Sequence, residues 1–398
     1  MEYRTLLSAP HVVRLMTGTL IGRLPSVMAA VAIPLTLRDA GADYAFVGAV
    51  AGTFALAMAL GGPLAGRSVD RWGQLPVLVP AVVVSGLGFF VVALLPEHPG
   101  WVLLGAALAG AATPPLEPAL RVLWPSLVGP QRLQAAYAMD SAAQEVVFVG
   151  GPLVVALCGA VASPPVALVV GALLGAAGVA IVVSAELARR WRAARAGGGQ
   201  WLGPLASPGL VVLILGLGGV GAAIGALSVF TVSYAERVVL PGGAPTLLAL
   251  NAVGAMAGAL VYGRRSWPGS EPVRAAVLAL GLALGYAVLL VPSGPVVTAV
   301  AVTVAGVFLA PLLTVSFGLV GRLARPGTTT EAFAWLVTTF TLGNSVGAAV
   351  SGVLQDAAEN GAAAGAPLVA VVGAGVGTIV LLAGRRPLAR EPQEEVTS

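Results

Sequence analysis

The sequence of 398 residues contains no lysine, one cysteine and two histidines. Without lysine the chain cannot form the Gly-x-x-x-x-Gly-Lys loop that holds nucleotide phosphates, so ATP hydrolysis by that motif is excluded. The single cysteine, Cys158, excludes a disulfide framework and a cysteine-based metal site. Neither a His-Glu-x-x-His pattern nor a nucleophile–base pair occurs in the apolar runs. The sequence therefore predicts no enzyme, no metal site and no cofactor.

Charged residues are also scarce. They make up 10% of the chain, whereas soluble domains carry about 25%. The chain is 58% hydrophobic, and its mean hydropathy is +0.94. A soluble protein with so little charge could not cover its surface, so the composition predicts a protein embedded in a lipid bilayer. Arginine-rich membrane loops explain the isoelectric point of about 9.7, and we predict no nucleic-acid partner.

Long apolar runs occupy most of the chain. A helix that crosses a bilayer needs about 20 apolar residues, and twelve runs approach that length. They lie at 12–36, 45–65, 76–95, 101–120, 135–158, 164–184, 208–234, 245–263, 273–291, 295–320, 331–355 and 366–384. Several links are very short, so neighbouring helices are antiparallel. The sequence predicts an all-α membrane protein with twelve transmembrane helices.

The arginines are distributed unequally between the two ends of these predicted spans. All but three of the 21 lie at the end that carries both chain termini. Of the exceptions, Arg38 and Arg237 lie at the opposite end and Arg23 lies within a span. Basic residues are enriched in cytoplasmic loops. We therefore predict a multi-pass protein of the cell membrane with both termini in the cytoplasm.

The chain divides into two halves of six spans. The longest link, 185–207, is basic and separates an N-terminal bundle, 1–184, from a C-terminal bundle, 208–398. A shift of 196 residues aligns several motifs of the two halves, such as Pro115-Leu116 with Pro311-Leu312. Repeats of this kind are typical of secondary transporters, whose binding sites lie between the repeats. We predict two six-helix halves related by a pseudo-two-fold axis.

A short polar motif joins the second and third spans. It has the pattern Gly66-x-x-x-Asp70-Arg71-x-Gly73-Gln74. This motif resembles the loop 2–3 signature of the major facilitator superfamily, although Gln74 and Leu75 replace the basic pair that ends the signature. The resemblance implies a transporter in which two halves rock around a central cavity.

The chain is most similar to bacterial efflux permeases of the drug–proton antiporter branch. In span five, Gly151-Pro152 is what remains of the Gly-Pro motif that such antiporters carry. In span eleven, Gly343 and Gly347 have the spacing that allows close approach of helices. We predict that these four residues serve helix packing and bending, and that spans two and eleven meet between the halves.

Two charges lie deep within predicted spans. Arg23 in span one and Glu145 in span five are each roughly 15 Å from the cytoplasmic start of their helix. Charge inside a membrane is costly and usually functional. We predict that Arg23 and Glu145 pair, either as a static ion pair or as a coupling switch that opens when Glu145 changes its protonation state.

A second group of charges lies nearer the cytoplasmic end. Glu117 and Arg121 are one helical turn apart in span four, and Asp140 lies near the start of span five. We predict that they form a gating network together with Gly66, Asp70, Arg71 and Gly73. Asp70 is also expected to bind the N-terminus of span eleven near Thr329 and Glu331, provided that an arginine offsets Glu331.

The second half offers amides instead of charges. Asn251 and Asn344 are candidates for the substrate cavity, although either could bond only a backbone carbonyl. Together these features predict a monomeric secondary transporter that exports a small, partly apolar molecule in exchange for protons. The alternatives are a facilitator or importer of a sugar or metabolite, and a membrane sensor that does not transport. The sequence itself names no substrate.

Overall fold

The computed structural model describes residues 2–193, 202–291, 293–358 and 365–389. The predicted centre of the linker, 194–201, lies outside this part of the chain. Twelve of the described helices are numbered here: α1 (Val12–Asp39), α2 (Tyr44–Trp72), α3 (Leu75–Leu94), α4 (Pro99–Ala111), α5 (Leu133–Val161), α6 (Pro164–Ser184), α7 (Pro208–Val238), α8 (Gly243–Tyr262), α9 (Glu271–Ala287), α10 (Pro295–Leu323), α11 (Thr329–Ala358) and α12 (Gly365–Ala383). Shorter helices include Glu2–Leu7, Leu116–Arg121, Trp124–Val128, Glu186–Arg190 and Arg385–Ala389.

The all-α membrane fold is confirmed, with one difference in the fourth span. Eleven helices of the described chain are long and apolar enough to cross a bilayer. The predicted span 101–120 is instead two helices, α4 and Leu116–Arg121, with a break between them. Pro114 and Pro115 cause the break because proline has no N–H to donate and pushes the residue before it out of the helical conformation. The break places Glu117 and Arg121 on a separate short helix.

The helices pack mainly within two groups that follow each other along the chain. In the first group α1 packs against α5 and α6, α2 against α4, and α3 against α4 and α6. In the second, α7 packs against α11 and α12, α8 against α10, and α9 against α10 and α12. Contacts of α2 with α11, and of α5 with α8 and α10, join the two groups. Any site shared by the halves must therefore involve these helices.

Glycines allow the closest approaches, though not always where the sequence predicted them. Gly343 and Gly347 lie directly against the backbone of α7, at Gly218 and Ala222, and so pack inside the second half. Gly151 has a similar packing role on α5, because a Cβ there would lie 2.7 Å from a methyl carbon of Val27 on α1. The contact between α2 and α11 is made by other residues.

The contacts between α2 and α11 described here lie toward one end of the bundle. We call this the inner end; it holds the described terminal helices, Glu2–Leu7 and Arg385–Ala389. There, Gly66 of α2 lies against the start of α11. Toward the opposite, outer end, Cβ atoms added at Gly48 and Gly52 of α2 would meet open space. The two halves are thus joined along α2 at the inner end, whereas a side chain at either of the two outer-end glycines would contact no neighbouring helix.

Candidate gating and coupling site

The first contact between the halves joins the end of α2 to the start of α11. Asp70 accepts hydrogen bonds from the backbone N–H groups of Thr330 (3.0 Å) and Glu331 (2.9 Å). The first N–H groups of a helix have no partner within it, and the positive end of the helix dipole favours a carboxylate. This contact, called here the acidic latch, confirms the expected binding of Asp70 to the N-terminus of span eleven.

The arginine that offsets Glu331 is Arg67. Its Nε and Nη2 atoms bind the two carboxylate oxygens of Glu331 at 2.9 and 2.7 Å. Arg71, a predicted member of the gating network, takes no part in this contact: its guanidinium lies over the ring of Trp72, and no ion pair of Arg71 is found in the described chain. Arg67 and Asp70 are three residues apart and share a helix face, whereas Arg71 is turned about 100° from Asp70. In the sequence, this spacing indicates that Arg67, and not Arg71, lies on the same face of the helix as Asp70.

Two glycines of the motif shape this end of α2. At Gly66 a Cβ atom would lie 2.9 Å from the Cα atom of Glu331, so a side chain would push α11 away. Gly73 ends the helix with φ of +88°, a conformation that glycine adopts at little cost. Both glycines therefore position the acidic latch without contributing chemistry of their own.

A second contact joins the start of α5 to the end of α8. The side-chain amide of Gln134 donates to the carbonyl oxygens of Tyr262 (2.9 Å) and Arg265 (2.8 Å). Arg274 donates to the Tyr262 hydroxyl at 2.9 Å, and Tyr3 donates to the Leu260 carbonyl at 2.9 Å. We call this contact the amide latch.

The amide latch is the repeat counterpart of the acidic latch. At the offset of 196 residues Gln134 corresponds to Thr330, and Asp70 corresponds to Ser266. The acidic latch binds N–H groups at a helix start, whereas the amide latch binds carbonyls at and just after a helix end, one of which, that of Tyr262, also accepts from the Trp267 indole N–H at 2.9 Å. Gln134 was not among the candidate residues predicted from the sequence.

Four charges, two of them buried and two largely buried, form a network inside the first half. Arg23 binds Glu117 at 2.9 Å and lies 3.6 Å from Asp140. Arg121 binds both acids, with its Nε atom 2.8 Å from Asp140 Oδ2. The Arg121 side chain is 0% exposed and that of Asp140 is 2% exposed. We call these four residues the buried charge network; its two cations and two anions balance.

The prediction that Arg23 pairs with Glu145 is wrong, because Arg23 binds Glu117 and Asp140 instead. Arg23 and Glu145 are similarly deep, but depth does not determine the direction of a side chain. Asp140 and Glu145 are five residues apart on α5, which turns them about 140° away from each other. Asp140 faces Arg23, and Glu145 therefore faces elsewhere. No ion pair of Glu145 is found in the described chain.

The predicted single gating network is two clusters. Asp70 belongs to the acidic latch, while Glu117, Arg121 and Asp140 belong to the buried charge network. A buried hydrogen bond links the two regions: the side-chain amide of Gln74 donates to the Ala119 carbonyl at 2.9 Å. Gln74 thus replaces the basic residue of the loop signature with a neutral contact.

Glu145 lies on a part of α5 that packs against the second half. Ala142, one turn before Glu145, packs against Ala255 on α8 and Ala310 on α10. Glu145 is half-buried and lies close enough to Tyr286 to act on it electrostatically. Its position at the junction of the halves makes it the candidate for coupling.

The two asparagines predicted for the substrate cavity, Asn251 and Asn344, differ in their hydrogen bonds. Asn251 is buried and donates to the carbonyl of Val302 at 3.0 Å, so its amide braces α8 against α10. Asn344 is half-buried on α11, and no hydrogen bond of its side chain is found within the described residues. A search of the same residues finds no cluster of side chains that could hold a metal ion.

Comparisons with known proteins agree with this architecture. In solved structures the fold resembles a bacterial homologue of the iron transporter ferroportin in an outward-facing state, with 14% identity, a TM-score of 0.74, and coverage of 94% of this chain and 99% of that one. It also resembles the human organic anion transporter MFSD10 (16% identity, TM-score 0.68, coverage 95% and 98%). The fucose:proton symporter of E. coli is similar too (15%, 0.67, coverage 94% and 98%).

These structural similarities concern the fold alone. A search of curated proteins gives no significant match. The profile of the Major Facilitator Superfamily matches residues 15–348, which is most of the chain. Members of this family and the structural neighbours are transporters, not enzymes. The chain is a multi-pass membrane protein that belongs to the Major Facilitator Superfamily.

Proposed function

We propose that the protein is a secondary active transporter that exports a small, partly apolar molecule in exchange for protons. The two halves would rock about the central cavity, opening it to each side of the membrane in turn. We further propose that it acts as a monomer in the cell membrane with its inner end in the cytoplasm, as the arginine distribution predicts.

One observation carries the proposed coupling: Glu145 is an acid within a membrane helix that has no cation beside it among the described residues. The four charges of the buried charge network neutralise one another, whereas Glu145 can be neutralised only by a proton or by a cationic substrate. Its helix, α5, contacts α8 and α10 of the other half. A change of charge at Glu145 would therefore act where the halves move.

The test is transport in proteoliposomes with and without an imposed pH gradient. The probes are ethidium, an organic anion dye, fucose and ferrous iron, which cover an apolar cation and the chemistries named for the structural neighbours. We expect gradient-driven flux of the apolar probe, and loss of that response in Glu145→Gln. Glu236→Gln, an exposed carboxylate at the outer end of α7, is the matched control and should leave flux unchanged.

Flux that is indifferent to the gradient would contradict proton coupling. Flux of fucose with the protons, in the same direction, would support the alternative of an importer. Absence of flux for all four probes, in protein that is folded and correctly inserted, would favour a membrane protein that does not transport these classes of molecule.

A further inference from the structure

Arg121 belongs to the first half, but its guanidinium touches the second. The guanidinium carbon lies 3.4 Å from the centre of the Phe317 ring on α10 and 5.9 Å from that of Phe333 on α11. Tyr137 of α5 lies against both rings, with centroid separations of 6.0 and 6.3 Å. We call these four residues the axial cluster.

The repeat explains why these four residues meet. At the offset of 196 residues, Arg121 corresponds to Phe317 and Tyr137 corresponds to Phe333. Each residue of the first half therefore contacts its own counterpart in the second. Residues related in this way can touch only where they lie near the symmetry axis. The axial cluster thus lies on the pseudo-two-fold axis, where the halves move against each other.

The Arg121 guanidinium is held by acids of the first half. Its Nε and Nη2 atoms bind Asp140 and Glu117, and Nη1 has no hydrogen-bond partner in the described chain. A planar guanidinium bonded through its edges leaves its face free to stack on an aromatic ring. Because the acids fix the arginine, it cannot follow Phe317 if the second half moves away.

We propose that Arg121 is a positioning residue that ties the buried charge network to the inner gate through its cation–π contact with Phe317. Opening of the inner end must break this contact, so the contact contributes to the closed state in addition to the two latches. The proposal rests on the proposed alternating-access function, and it concerns the gate and not the transported molecule.

The test weakens the attraction between the Phe317 ring and the guanidinium while keeping the ring nearly the same size. Phe317 is replaced by phenylalanines with one, two and three fluorine atoms, which progressively withdraw the charge that attracts a cation. Spin labels at Ser126→Cys and Ser270→Cys, in a Cys158→Ala background, report the distance between the halves at the inner end. Both serines are exposed, and they lie on opposite halves. The same series at Phe308, which lies on α10 but faces Gly281 of α9, is the matched control.

We expect the ratio of open to closed molecules to rise stepwise with fluorination, by about five- to thirtyfold for three fluorines, as for a desolvated cation–π contact. The series at Phe333 should have a smaller effect because that ring is farther from Arg121. If closed molecules outnumber open ones by more than a hundredfold, a shift of this size would not change the measured distance. The series is therefore repeated in the Asp70→Asn background, in which more molecules are expected to be open.

A flat response in both backgrounds, or an equal response at Phe308, would overturn the proposal, because a ring that only fills space would not respond to fluorine. The distances are measured without substrate or pH gradient. The two proposals can therefore fail separately. If the distances respond stepwise to fluorination but Glu145→Gln transports like the natural protein, proton coupling is refuted and the proposal for Arg121 stands.

Discussion

Replacement of Asp70 by asparagine should open the inner end. The carboxylate accepts two hydrogen bonds, at 3.0 and 2.9 Å, from N–H groups at the start of α11. Asparagine keeps one neutral acceptor and loses the charge that the helix dipole favours. A hydrogen bond to a charged group contributes about 1.5–3 kcal/mol. A loss of that size would raise the ratio of open to closed molecules by roughly 10- to 150-fold.

The assay is the distance between spin labels at Ser126→Cys and Ser270→Cys. The matched control is Asp43→Asn, because Asp43 also caps a helix start, accepting from the N–H of Phe46 at 2.6 Å, but does so within the first half. Asparagine is itself a good helix cap, so this control should change neither the distance nor stability appreciably. An unchanged distance in Asp70→Asn, or an equal change in both variants, would refute the assignment of Asp70 as a latch.

Two further predictions concern the amide latch and the buried charge network. Gln134→Leu removes the donor to the two carbonyls at the end of α8 without adding a charge, so the same spin labels should show more opening than in the natural protein; an unchanged distance would contradict the amide latch. Glu117→Gln should cost about 3–5 kcal/mol because it leaves buried cations uncompensated, and should lower the melting temperature in detergent. The control Glu186→Gln removes an exposed ion pair with Arg190 and should leave the melting temperature nearly unchanged.

The sequence was most informative where a single physical rule acts alone. Apolar length alone identified the spans, and it failed only for α4, where two prolines interrupt a run that hydropathy treats as continuous. Helix-end electrostatics placed Asp70 at the start of α11. The same reasoning required an arginine beside Glu331, and helix spacing would have selected Arg67 over Arg71.

Side-chain direction was the information that the sequence could not supply. Arg23 and Glu145 have matching depths, but the long arginine side chain reaches the acids that face α1, and Glu145 is turned toward the other half. The repeat offset aligns Phe317 and Phe333 with two polar residues of the first half, Arg121 and Tyr137. Only the packing of the halves shows that each phenylalanine lies against its own counterpart.

The central claim is that transport requires the inner end to open and close. A disulfide across the latch tests it directly. A Cβ atom built on Gly62 lies 3.2 Å from the Thr338 side-chain oxygen, which suits a disulfide between Gly62→Cys and Thr338→Cys in a Cys158→Ala background. Oxidation should stop flux of the transported probe in proteoliposomes, and a reductant should restore it. Undiminished flux in fully cross-linked protein would contradict the account.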